Sequence, residues 1–60
     1  MKIHSSPNMD IWLSKRGKFW VLEILYSSGL RLSRIFHTED EARLAAARLV
    51  AVDDKKQAAD

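Results

Sequence analysis

Phe19-Trp20-Val21-Leu22-Glu23-Ile24-Leu25-Tyr26, then Ser27-Ser28-Gly29, Leu30-Arg31-Leu32-Ser33-Arg34-Ile35-Phe36 and His37-Thr38-Glu39-Asp40-Glu41 form the stretch in which the fold declares itself. Residues 19–26 are rich in aromatic and branched side chains and interrupted by one charge, which is the composition and length of a full strand. The Ser-Ser-Gly cluster turns the chain. Partial alternation of apolar and polar residues over 30–36 supplies the returning strand of a hairpin. At Thr38 the period changes. Thr38 as N-cap with Glu41 three residues later is a capping box, and three acidic groups in one turn suit the positive end of a helix dipole. The helix so begun carries Ala42, Ala45, Ala46 and Leu49, with Val50 or Val52, at spacings of three and four.

Working back from Phe19, the glycine in Lys15-Arg16-Gly17-Lys18 marks a turn, and Asp10 to Ser14 reads as a short strand entering it. Residues 1–8, with Ser5, Ser6, Pro7 and Asn8, hold no lasting period and read as an arm, either flexible or pairing at a sheet edge through Lys2-Ile3-His4. Residues 53–60 lose the apolar stripe and read as a flexible tail. The order predicts an α+β fold: a three-stranded antiparallel sheet, β-β-β-α, with one C-terminal helix on one face and a single domain over residues 9–52.

Alternation divides the sheet into two faces. Trp20, Leu22, Ile24, Leu32 and Phe36 form the cleaner apolar set and are expected beneath the helix. The other face shows Phe19, Val21, Leu25 and Ile35, with Trp12 at the edge, around Glu23, Arg31 and Ser33. One helix covers only one face, and an antiparallel sheet facing water is ordinarily polar there. An apolar patch rimmed by charge marks an interaction surface, unless the N-terminal arm folds over it or a bulge shifts the register.

The chain has 60 residues, 47% of them hydrophobic, and no cysteine. A domain this small buries only about 60% of its unfolded surface. Disulfides are excluded, and a zinc site would have to be built from His4, His37 and carboxylates, so a partner is the remaining source of support. We therefore expect a homodimer or a protein partner, no cofactor, no metal and no small-molecule substrate. His37 beside Thr38 and Glu39 is the one local group with catalytic chemistry, and its place at a strand-to-helix junction reads as a turn residue. No enzymatic activity is expected. No apolar signal core follows Met1-Lys2-Ile3 and no run is long enough to span a membrane, so the expected location is cytoplasmic.

Charge is unevenly placed. Residues 1–37 hold six basic against two acidic residues, and residues 38–60 hold four against six, within a net charge of +2. Lys15, Arg16, Lys18, Arg31 and Arg34 are the candidate phosphate contacts of a DNA-binding alternative.

The string Lys15-Arg16-Gly17-Lys18-Phe19-Trp20-Val21, then Gly29, Arg34-Ile35-Phe36-His37-Thr38, Glu41-Ala42 and Ala45-Ala46, resembles the arm-type DNA-binding domain of phage and transposon integrases, an AP2-like βββα fold. It is similar also to short uncharacterised bacterial and phage domains that end in strand, strand and alanine-rich helix. The integrase resemblance implies a sheet face entering the major groove, with Arg16, Lys18, Arg31 and Ser33 as contacts. The apolar residues and Glu23 on that face favour a protein instead. The sequence thus points to a small binding module of phage or mobile-element type that docks its sheet face on itself or on a host protein and modulates it.

Overall fold

The computed structural model describes residues 1–58. Four strands precede one helix: β1 Lys2–Ser5, β2 Met9–Arg16, β3 Phe19–Tyr26, β4 Arg31–Phe36 and α1 Glu39–Ala58. The strands form a single antiparallel sheet in the order β1-β2-β3-β4. β2 and β3 pair over their whole length, from Met9 opposite Tyr26 to Arg16 opposite Phe19. The two residues between them are Gly17 and Lys18. Gly17 sits at φ 61°, so a left-handed residue occupies the first central position of a two-residue hairpin, as a II′ turn requires. Gly29, at φ 95°, closes the second hairpin, where its N–H donates to the Tyr26 carbonyl (2.9 Å).

The sheet has four strands where three were expected, because the N-terminal arm is an edge strand. Lys2 stands opposite Trp12, His4 opposite Ile11 and Ser5 opposite Asp10, with a break in register between Lys2 and His4. The pairing extends to Met1, whose carbonyl accepts the Leu13 N–H and whose ammonium donates to the Leu13 carbonyl, both at 2.8 Å. A four-residue strand with a bulge has no alternation to read, which is why residues 1–8 carry no period.

The helix begins as its cap predicts. Thr38 Oγ1 accepts the Glu41 N–H at 3.2 Å, and the Thr38 carbonyl accepts the Ala42 N–H at 3.2 Å. Ala42 and Ala46 are buried against Met9, Ile11, Leu13, Leu22 and Ile24, with Ile3, Trp20, Tyr26, Phe36, Ala45, Leu49 and Val50 partly buried around them. Alanines bring the helix axis close to the sheet, and the larger strand residues fill the layer between. Leu32 departs from the expected core set, standing 39% exposed on β4. The helix runs to Ala58 rather than ending near residue 52; the last two residues of the expected tail lie outside the described residues. Among the described residues no helix is long and apolar enough to cross a membrane.

Candidate functional site

The helix covers the side of Leu22 and Ile24, so the opposite face presents Asp10, Trp12, Ser14 and Arg16 from β2, Phe19, Val21, Glu23 and Leu25 from β3, and Arg31, Ser33 and Ile35 from β4. Val21 lies between Ser14 and Ile35 in the cross-strand row and is buried, whereas Phe19 and Ile35 beside it are 43% and 69% exposed. These three bring together one end of the expected apolar patch. Glu23 separates them from half-buried Leu25. Trp12, directly opposite Glu23, is diagonal to both Val21 and Leu25, within the reach of an aromatic ring, and carries the apolar band past the carboxylate.

Trp12 is not at the edge of the sheet. β1 lies outside it and places Lys2 across from it, with the Lys2 Nζ 5.4 Å from the ring centroid and 3.7 Å from Asp10 Oδ1. Asp10 Oδ1 also accepts the Ser5 hydroxyl at 2.7 Å. The polar side of the face is thus tied into a small network around β1. The apolar side, at Phe19 and Ile35, is open, with His37 tilted against Phe19 at 5.5 Å between ring centroids. A shallow depression of about 300 Å³ lies between, formed by Trp12, Glu23, Leu25 and Arg31.

The cations proposed for DNA are divided by the same alternation. Arg16 and Arg31 are on the open face but at its opposite ends, paired with Phe19 and Leu25. Lys15 pairs with Trp20 and stands over its ring (5.7 Å), while Arg34 pairs with Leu22 and lines the groove between β4 and the helix with Arg48. Both therefore belong to the helix side. Lys18 is in the hairpin turn.

A second polar constellation was not foreseen. Asp53, in the C-terminal half of α1, is fully buried. Its Oδ2 accepts the Ser6 hydroxyl at 2.5 Å and the His4 Nε2–H at 2.9 Å, and its Oδ1 accepts the Asn8 side-chain amide at 2.8 Å. Donation to a carboxylate assigns the proton of His4 to Nε2. Ser6 Oγ in turn accepts the backbone N–H groups of Asn8 and Met9, both at 3.2 Å. The Ser6 hydroxyl, then His4 and Asn8, hold the Asp53 carboxyl at a pKa of about 2 against an ordinary 3.8, although burial opposes them. His4, in the arm read as either flexible or edge-pairing, is thereby part of a clasp between the β1–β2 connection and the helix. The available signal was position: Asp53 falls seven residues after Ala46 and so lies on the buried stripe. All three donors converge on one carboxylate, which ties the β1–β2 connection to the helix.

No family model matches the chain, and no curated protein or solved structure matches it either. Fold and site define a class: a small α+β domain with a helix on one side of a four-stranded antiparallel sheet and a partly apolar sheet surface on the other.

Proposed function

We propose that the chain is a non-enzymatic binding module that docks a protein partner on the open sheet face, of the kind phage and mobile elements use to modulate a host protein. The observation that carries this reading is the group of Phe19 and Ile35, exposed around buried Val21, on the side that α1 leaves uncovered. Exposed aromatic and aliphatic side chains around a dry centre are what an interface desolvates. Arg16 and Arg31 at the two ends supply a charged rim. DNA binding by this face is disfavoured because Lys15 and Arg34 point to the other side, and because Asp10 and Glu23 stand among the remaining cations.

The test is retention from a lysate of cells that produce the protein, with wild type and a Phe19→Ser, Ile35→Ser double variant immobilised in parallel. Wild type is expected to hold a protein through a wash at about 1 M salt, where charge interactions are screened beyond about 3 Å, and the double variant to lose it. Nucleic acid that binds both forms and leaves in the salt wash would overturn the proposal in favour of phosphate recognition.

A further inference from the structure

The two edges of the sheet differ. β1 is four residues long and its register with β2 is broken between Lys2 and His4, a bulged, short edge of the kind that resists further pairing. β4 is six residues long and pairs with β3 without a break from Trp20–Phe36 to Leu25–Arg31. Arg31 to Ile35 are all exposed, and an apolar side chain stands out on each face: Leu32 on the helix side and Ile35 on the open side.

The backbone of this edge can be assigned. The Tyr26 N–H donates to the Leu30 carbonyl at 2.8 Å, which makes Tyr26–Leu30 a hydrogen-bonded pair. Such pairs alternate along an antiparallel ladder, so Leu32, Arg34 and Phe36 also direct their N–H and C=O groups to β3. Arg31, Ser33 and Ile35 direct theirs outward. β4 ends the sheet, and no other described segment bonds to these groups.

We propose that β4 pairs antiparallel with β4 of a second copy, about a two-fold axis passing through Ser33, to make a continuous eight-stranded sheet. A two-fold normal to the sheet keeps both open faces on one side, so residues opposite each other share a face and one residue lies on the axis; the greatest overlap of the six-residue strand puts there one of its two central residues, Ser33 or Arg34. With Arg34 there, two guanidinium groups stand directly opposite at a non-hydrogen-bonded position with Cα atoms about 4.5 Å apart, a like-charge pair that opposes association. With Ser33 there, small hydroxyls meet. Arg31 then faces Ile35 of the second copy and Leu32 faces its Arg34, so the aliphatic stem of each arginine covers an apolar side chain that the monomer leaves exposed. Arg31, Ser33 and Ile35 exchange about six N–H···O bonds with their counterparts. The pairing rests on the backbone of the edge, takes Ile35 alone from the apolar group of the open face, leaves Phe19 free, and sets the two open faces side by side.

The chain has no cysteine, so single cysteines report the register cleanly. In Ser33→Cys the two Cα atoms come to about 5.5 Å, inside the span a disulfide bridges, whereas Arg34→Cys residues are offset beyond it. Under mild oxidation Ser33→Cys is expected to form linked dimer at least about tenfold faster than Arg34→Cys. Wild type should sediment as a dimer at micromolar concentration. Ser33→Pro, which deletes only an outward N–H, should weaken that dimer at least about tenfold with the far-UV spectrum preserved. If proline disturbs the strand, Ser33→Lys, which sets two ammonium groups face to face, should weaken the dimer by a similar factor. A wild type that stays monomeric, equal or faster linkage through Arg34→Cys, or a dimer indifferent to a folded Ser33 variant would overturn the proposal.

Discussion

Leu22 and Ile35 sit on neighbouring strands of one sheet and on opposite sides of it, and truncating each to alanine should have very different costs. Leu22 is fully buried beneath α1. Its replacement removes three carbon atoms from the core, about 2.4 kcal/mol at about 0.8 kcal/mol each, and the cavity left behind raises the loss to about 3–4 kcal/mol. Ile35 is 69% exposed, so only about a third of the same three carbons leaves water, and Ile35→Ala should cost the monomer about 0.7 kcal/mol. A 60-residue domain has about 3–9 kcal/mol in total. Leu22→Ala therefore removes a third or more of the stability, and at the low end of that range all of it. Urea denaturation followed by circular dichroism, at concentrations dilute enough to hold the monomer, measures both. Equal losses, or a larger loss for Ile35→Ala, would refute the assignment of core and open face.

Acid should expose the clasp. Because the folded-state pKa of Asp53 lies at about 2, below the ordinary 3.8, its contribution is present above about pH 3.8 and is lost as pH falls through about 2. The stability gap between wild type and Asp53→Asn should then be constant near neutrality and shrink across that window; a gap that stays level down to pH 2 would contradict the clasp. Thr38→Ala, which deletes the acceptor of the Glu41 N–H, should cost about 1 kcal/mol and lower the melting temperature by about 4–8 °C, and an unchanged melting curve would show that the cap contributes nothing to the fold.

Where local chemistry and global fold agree, the sequence is readable. β3 can be read from end to end because aromatic and branched residues fill a strand bounded by glycine turns, and the helix start is legible because Thr38 and Glu41 are spaced for a cap. The division of β3 and β4 into two faces follows from alternation alone. The rest hides where tertiary contacts override the pattern. β1 is bulged, so its one core residue, Ile3, has no periodic companion. The helix outlasts its apolar stripe because the next inward position is Asp53, whose burial depends on Ser6 and Asn8, more than forty residues earlier. Trp12 reads as an edge residue only while β1 is unseen, and the separation of Lys15 and Arg34 from Arg16 and Arg31 becomes visible once each cation is placed by register.

The claim that the uncovered sheet face is a docking surface is tested most directly by photo-crosslinking from that face. A benzophenone side chain introduced at Phe19 or at Ile35 should give one recurrent adduct with a protein other than a second copy of the chain, formed equally well in high salt. The same group at Leu44, exposed on α1, should give none. Adducts of equal yield from all three positions, or adducts with nucleic acid from positions 19 and 35 that vanish as salt rises, would contradict it.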